Sequence, residues 1–153
     1  MALFEKVLIK SKASVVRKGE LEKYLKTTYP QAQTIASTTE AISGNLDLST
    51  IEDPLQLAAV DLAIMTAQLG VAENGALWVS ESAMAVRALP FITQHLVLIL
   101  DGPIVPTMHE AYQQIEIAAT GFGCFIAGPS KTADIEQSLV IGAHGPRSLV
   151  VAL

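Results

Sequence analysis

Two short stretches of this chain hold residue types that can do chemistry. Between Gly128 and Arg147 stand two hydroxyls, Ser130 and Thr132, one ammonium, Lys131, two carboxylates, Asp134 and Glu136, and one imidazole, His144. Hydroxyls beside a lysine can hold an anion through charge-assisted hydrogen bonds. An imidazole titrates near neutrality and can move a proton. The second stretch is Glu73-Asn74-Gly75, where a carboxylate at a strand-end turn can act as general base or nucleophile toward a ligand held nearby. Each residue also has a plainer role. Glu73 can be a surface turn acid, His144 can hold the Gly145-Pro146 turn through a loop carbonyl, and Lys131 and Arg147 can be solvated cations. Spacing by itself favours the plainer role for Glu73 and His144.

The elements that must position these groups follow from local pattern. Cys124-Phe125-Ile126-Ala127 is a short apolar run ended by Gly128-Pro129, which breaks strand and helix alike. Ser130 and Thr132 can each cap a helix, with Asp134 and Glu136 in its first turn, where the helix dipole favours carboxylates. Ile135, Leu139 and Val140 would form its apolar stripe. Gly142 to Pro146 stops that helix, and Ser148 to Leu153 reads as a closing strand. The helix start would thus gather two hydroxyls, a lysine and two acids.

Upstream, Glu20 to Thr28 predicts a helix with Leu21, Tyr24 and Leu25 on one face, ended by Pro30. Thr34 to Ala36 predicts a short strand, residues 37–53 a loop, and Pro54 the start of the next segment. Leu57 to Thr66 is helix or buried strand, which periodicity does not separate. Glu73-Asn74-Gly75 flanked by apolar residues predicts a strand-turn-strand over Val71 to Val79. Met84 to Phe91 predicts one helix with Arg87 on its outer face. Leu96 to Leu100 is a buried strand, and Ile104-Val105 a brief one before Pro106. Thr107 with Glu110 fits a capping box opening a helix from Met108 to about Ala119. Alternating buried strands and helices argue for an α/β fold with a largely parallel sheet. Ligands on such sheets sit at the carboxyl ends of strands, where Gly128 to Thr132 would lie.

Composition bounds the class. The chain has 153 residues, half of them apolar and 16% charged, against roughly 25% charged in ordinary domains. This predicts one domain whose sheet is covered on both faces, or a sizeable homo-oligomer interface. No apolar segment reaches the ~20 residues of a membrane helix, and Met1 to Lys10 lacks a signal-peptide core, so a cytoplasmic protein is expected. The single cysteine, Cys124, excludes an internal disulfide and a thiolate cluster, and His95, His109 and His144 have no short-range ligand spacing, so no metal or cofactor is expected. Seven of the ten basic residues fall within residues 1–26, and beyond them twelve acids face three bases. A solvated helical region accounts for the basic segment, and the acidic body argues against nucleic acid. A phosphate loop fails because Pro129 follows Gly128 where a lysine is required, and Gly121-Phe122-Gly123 lacks the third glycine of a dinucleotide fingerprint.

Gly128 to Arg147 with the strand Ser148 to Leu153 closely resembles the closing signature of the LUD-domain family, in its lactate utilization protein C branch. Ala72-Glu73-Asn74-Gly75-Ala76-Leu77 is similar to that family's A-E-T-G-T-L element, with Asn74 and Ala76 in place of threonines and Gln68 where many members have Asp. Arg87 to Ile99, Val105-Pro106-Thr107 and Glu110-Ala111 match its middle section. The resemblance covers about residues 57–153, leaving 1–53 as a reduced, divergent part of one domain. It implies a three-layer α/β/α fold like that of ribose-5-phosphate isomerase and the CoA transferases. It also implies a role in oxidising L-lactate to pyruvate beside sister subunits, one of them an iron–sulfur protein, with no defined catalytic mechanism for this branch. The expectation is an accessory, non-redox subunit that binds a small carboxylate or phosphate, or a partner, between Glu73 with Gly75 and the segment Ser130, Lys131, Thr132, Asp134, Glu136, with His144 nearby. The alternative is a standalone isomerase- or transferase-type enzyme with Glu73 as base or nucleophile.

Overall fold

The computed structural model describes residues 2–116, 121–133 and 139–153. In chain order it has α1 (Ala2–Lys10), β1 (Ser14–Val16), α2 (Leu21–Thr28), β2 (Ile35–Ser37) and β3 (Leu62–Ala67). Next come β4 (Leu69–Val71), β5 (Leu77–Ser80), α3 (Glu81–Met84), α4 (Leu89–Ile92), β6 (His95–Leu100), β7 (Ile104–Val105) and α5 (Met108–Gln114). β8 (Gly123–Ile126), β9 (Lys131–Ala133), β10 (Leu139–Ile141) and β11 (Ser148–Ala152) complete it.

A parallel sheet of five strands in the order β1-β11-β6-β3-β2 forms the centre. Its strands are apolar on both sides because both faces are covered, as parallel sheets require. From β3, Leu62 and Ile64 face the α2 side, where Leu21 and Leu25 join Val97, Ile99 and Val150. Ala63, Met65 and Ala67 face the other side, with Phe4 and Leu8 of α1, Leu98, Val151, and Leu77 and Val79 of β5. Phe4 and Leu8 are fully buried, worth about 1.5–3 kcal/mol each. The central sheet between α2 and α1 gives the three-layer arrangement the sequence implied. A second sheet, β7-β4-β5-β8, packs with α1 against that same face of the central sheet through Leu77 and Val79 and carries α5 through Trp78, Val105 and Ala111.

Several elements follow their local signals closely. Leu21 and Leu25 of α2 are buried, and the turn at Glu73-Asn74-Gly75 joins antiparallel β4 and β5, with Gly75 at φ +72°. Thr107 Oγ1 accepts from Glu110 N at 3.2 Å as the N-cap of α5. The ambiguous segment 57–66 is a 3-10 turn, Pro54–Ala59, followed by β3. The Asp53 side chain and Gln56 form a capping box at that turn.

Three expectations are corrected. Met84 to Phe91 is not one helix. Ala85 turns to φ +58° after α3, and Pro90 lacks an N–H and would press on the carbonyl four residues back, so a continuous helix cannot run through. Arg87 is nonetheless on the outside, paired with Glu81 and over the Phe122 ring. α5 ends at Gln114 rather than near Ala119; residues 117–120 lie outside the described residues. Where the helix expected to start at Ser130 would begin and end, Lys131–Ala133 and Leu139–Ile141 instead pair as antiparallel strands, Leu139↔Ala133 to Ile141↔Lys131; residues 134–138 lie outside the described residues. Val140, one of the three residues of the anticipated apolar stripe, is exposed, as is Ile141. β-branched residues at 132, 140 and 141 favour a strand once a partner strand is available.

The seven N-terminal basic residues are all exposed, Arg17 on Glu5 at 2.9 Å and Lys26 on Glu22 at 2.7 Å, as expected for a solvated region. Among the described residues no helix is long and apolar enough to cross a membrane. Cys124 is half-buried on β8, and burial pushes its thiol up to about 11. With the ordinary value at 9.0, the folded protein holds roughly 100-fold less thiolate at neutral pH. Labelling by a thiol reagent is therefore expected to be at least about tenfold slower in native than in urea-unfolded protein; equal rates would contradict the burial.

Candidate functional site

The loop that follows β8 folds back on the loop that precedes β11. Ser130 N donates to the Pro146 carbonyl at 2.9 Å, and Gly142 N donates to the Ser130 carbonyl at 2.9 Å. Gly145 approaches Ser130 so closely that a Cβ there would stand 3.0 Å from Ser130 Cβ and 3.2 Å from its Oγ. Gly128, at φ +81°, turns the chain where only glycine is relaxed.

These loops enclose a cavity of about 220 Å³. Ser130, His144 and Gly145 line it together with Phe91, Leu96, Phe125 and Leu149. Lys131 Nζ lies beside Gly128 at the rim, within 2.9 Å of where a Cβ on that glycine would be. A lining that mixes a hydroxyl and an imidazole with apolar side chains suits a small ligand with a polar end and a short carbon skeleton.

Position differs from the expectation. The cavity does not lie at the carboxyl end of a parallel strand, because β8 runs antiparallel to β5 in the smaller sheet. It opens instead at the amino ends of β6 and β11, through Leu96 and Leu149, each the second residue of its strand.

Glu73 and Ser130 come to one edge without sharing this cavity. The β5–β8 ladder pairs Leu77 with Ile126, so the turn before β5 and the loop after β8 emerge at the same end. Glu73 is exposed and outside the cavity lining. Its Oε1 accepts from Met108 N at 2.7 Å, satisfying a free donor of the first turn of α5. Gly75 packs against α1, where a Cβ would meet Val7 Cγ1 at 3.3 Å and Leu8 N at 3.4 Å. Thr132 lies in β9. Asp134 and Glu136 lie outside the described residues. The apolar lining was not anticipated: its four residues come from α4, β6, β8 and β11, and no local pattern links them. Among the described residues, no three His, Cys, Asp or Glu side chains are grouped to hold a metal ion.

The fold and this site define an α/β protein with a mainly parallel three-layer core and a ligand-sized hollow beneath its closing strand. The family model for the LUD domain matches residues 40–153. The chain belongs to that family, and the match starts earlier than the sequence resemblance at residue 57. It is 28% identical over 133 residues to a protein named lactate utilization protein C from Geobacillus thermodenitrificans, covering 82% of this chain and 53% of that one. A protein of the same name from Bacillus pumilus is 37% identical over 90 residues, covering 54% of this chain and 38% of that one. An uncharacterized protein from Neisseria meningitidis is 34% identical over 96 residues, 60% of this chain and 41% of that one. The chain thus spans about half or less of the length of these relatives. A crystal structure of a DUF162 family protein from Deinococcus radiodurans superposes with a TM-score of 0.71 at 18% identity, over 99% of this chain and 93% of that one. That likeness establishes the fold, including the part before residue 40.

Proposed function

We propose that this chain is a non-redox accessory component of an L-lactate utilization system, whose cavity between Ser130 and His144 receives a small carboxylate or phosphate. The names of its relatives support the setting. The observation that carries the site is a hydroxyl and an imidazole held together over one hollow by the Ser130–Pro146 and Gly142–Ser130 backbone bonds. A volume of about 220 Å³ suits a molecule of a few heavy atoms, and Lys131 at the rim supplies the cation. With one cysteine in its sequence, the chain would leave electron transfer to a sister subunit, an iron–sulfur protein. An isomerase- or transferase-type reaction with Glu73 as base has less support, since that carboxylate already accepts from Met108 N outside the cavity.

Deleting the gene should abolish or slow growth on L-lactate while leaving growth on other carbon sources intact, and affinity capture should bring down an iron–sulfur partner. Unimpaired growth on L-lactate would sink the proposal. In calorimetry with L-lactate, pyruvate and inorganic phosphate, Ser130→Ala is expected to weaken binding by about 0.5–1.5 kcal/mol, the net value of one hydrogen bond. Glu73→Gln should leave binding unchanged; a large loss there would restore the enzyme reading.

A further inference from the structure

We propose that a second cavity, on the α2 side of the amino ends of the parallel strands, binds the zwitterionic head of a small α-amino acid. The cavity is about 480 Å³ and lies between the end of α2 and the residues that enter β3, β6 and β11. Asp61, His95 and Arg147 come to it from the entrances of three adjacent strands, β3, β6 and β11, with Tyr29, the residue after α2, also lining it.

Its rim is fixed by backbone bonds that tie the strand entrances together. His95 N donates to the Asp61 carbonyl at 2.9 Å, Gln94 N to the Val60 carbonyl at 3.1 Å, and Arg147 N to the Gln94 carbonyl at 2.8 Å. The Asp61 carboxylate is held as well: Oδ2 accepts from Gln33 N at 2.8 Å and Thr34 N at 2.9 Å. Those two bonds, Thr34 first, keep its acid below the ordinary carboxylate range, so it stays charged with its second oxygen open. The His95 ring stacks on Tyr29 with centroids 4.5 Å apart. Its Nδ1 shares a 2.8 Å hydrogen bond with Ser148 Oγ, which in turn bonds Tyr29 Oη at 2.7 Å. His95 Nε2 has no hydrogen-bond partner among the described residues. Binding to such a preset rim loses little freedom.

Charge selects the ligand. Burial first and then Arg147 lower the His95 pKa, with Asp61 opposing, so the ring is neutral at neutral pH. The lining then carries one cation, Arg147, and one anion, Asp61, and neither enters the ion pairs among the described residues, which are Arg17–Glu5, Lys26–Glu22 and Arg87–Glu81. A simple anion would be repelled by Asp61, and a metal cation by Arg147. A zwitterion matches both, carboxylate to the guanidinium and ammonium to Asp61, without burying net charge. A hydroxy acid would satisfy Arg147 yet leave the charge on Asp61 uncompensated.

The test is titration of the full chain with L-alanine, L-serine and L-lactate, followed by backbone amide NMR shifts. The amino acids should bind saturably, moving the amides of Asp61, His95 and Arg147. Arg147→Met, which keeps the aliphatic stem, and Asp61→Asn, which keeps an acceptor for Gln33 and Thr34, should each weaken L-alanine binding at least about tenfold, or about 1.4 kcal/mol. If Asp61→Asn does not fold, Arg147→Met decides alone. Three results would overturn the proposal: no saturable amino-acid binding, L-lactate binding as tightly as L-alanine here, or amino-acid shifts centred on Ser130 and His144.

Discussion

Gly128→Ala is expected to lower the unfolding free energy by about 2–5 kcal/mol and to abolish the ligand binding proposed for the Ser130–His144 cavity. The backbone at residue 128 has φ +81°, which costs an alanine about 1–2 kcal/mol. The new methyl would also run into the Ser11 carbonyl oxygen, a backbone atom that cannot rotate away. Overpacking of this kind adds about 1–3 kcal/mol. The chain would have to move the Gly128-Pro129-Ser130 loop, and that loop carries the hydroxyl that lines the cavity. Urea unfolding and calorimetry on the same preparation check both halves. A variant with wild-type stability and affinity would show that the loop is not pinned as described.

Leu98→Ala should cost about as much, 2–5 kcal/mol by the range for buried leucines, through a different cause. Leu98 is fully buried in the middle strand of the parallel sheet, paired with Met65 on one side and Val151 on the other. Its side chain faces the core shared with Phe4 and Leu8 of α1. Met65 and Val151 are fixed on the flanking strands, so the space left by truncation can close only partly. Against a typical total of about 5–15 kcal/mol, one such change should bring the urea midpoint down steeply with an unchanged slope. A loss below about 1 kcal/mol would mean that this face of the sheet is poorly packed.

These two residues also separate what is readable locally from what is not. Leu96 to Leu100 announces a buried strand because five apolar residues between polar flanks leave few alternatives, and β6 occupies that place. Thr107 and Glu110 announce a helix start because the cap acts over three residues, and the bond is there. Ser130 and Thr132 carried an equally clear capping signal, yet residue 131 pairs with residue 141. A cap stabilises a helix by about 1 kcal/mol, which a strand partner and fixed loop ends can exceed. Met84 to Phe91 failed similarly: its apolar periodicity is helical, and Pro90 breaks it.

The two cavities show the same division. Asp61 and His95 stand directly before apolar runs and Arg147 one residue further back, a pattern that would have aligned them had all three runs been taken as neighbouring parallel strands. Ser130 and His144 were singled out by residue type, but the apolar residues that line the cavity with them come from four separate elements. Glu73 was singled out for its acidity, and its environment turned that acidity into an acceptor for Met108 N at the start of α5.

From the amino-acid order alone came the α/β class, the central strands, the hairpin at Gly75, the cap of α5 and the LUD-domain resemblance. All of these rest on signals that act over a few residues or on long matched motifs. Only the tertiary structure decided that residues 62–67 extend rather than coil, that the segment after Ser130 pairs as strands, and which polar groups meet in each hollow. Strand pairing and cavity lining depend on partners tens of residues away, and the energy of those contacts exceeds local preference.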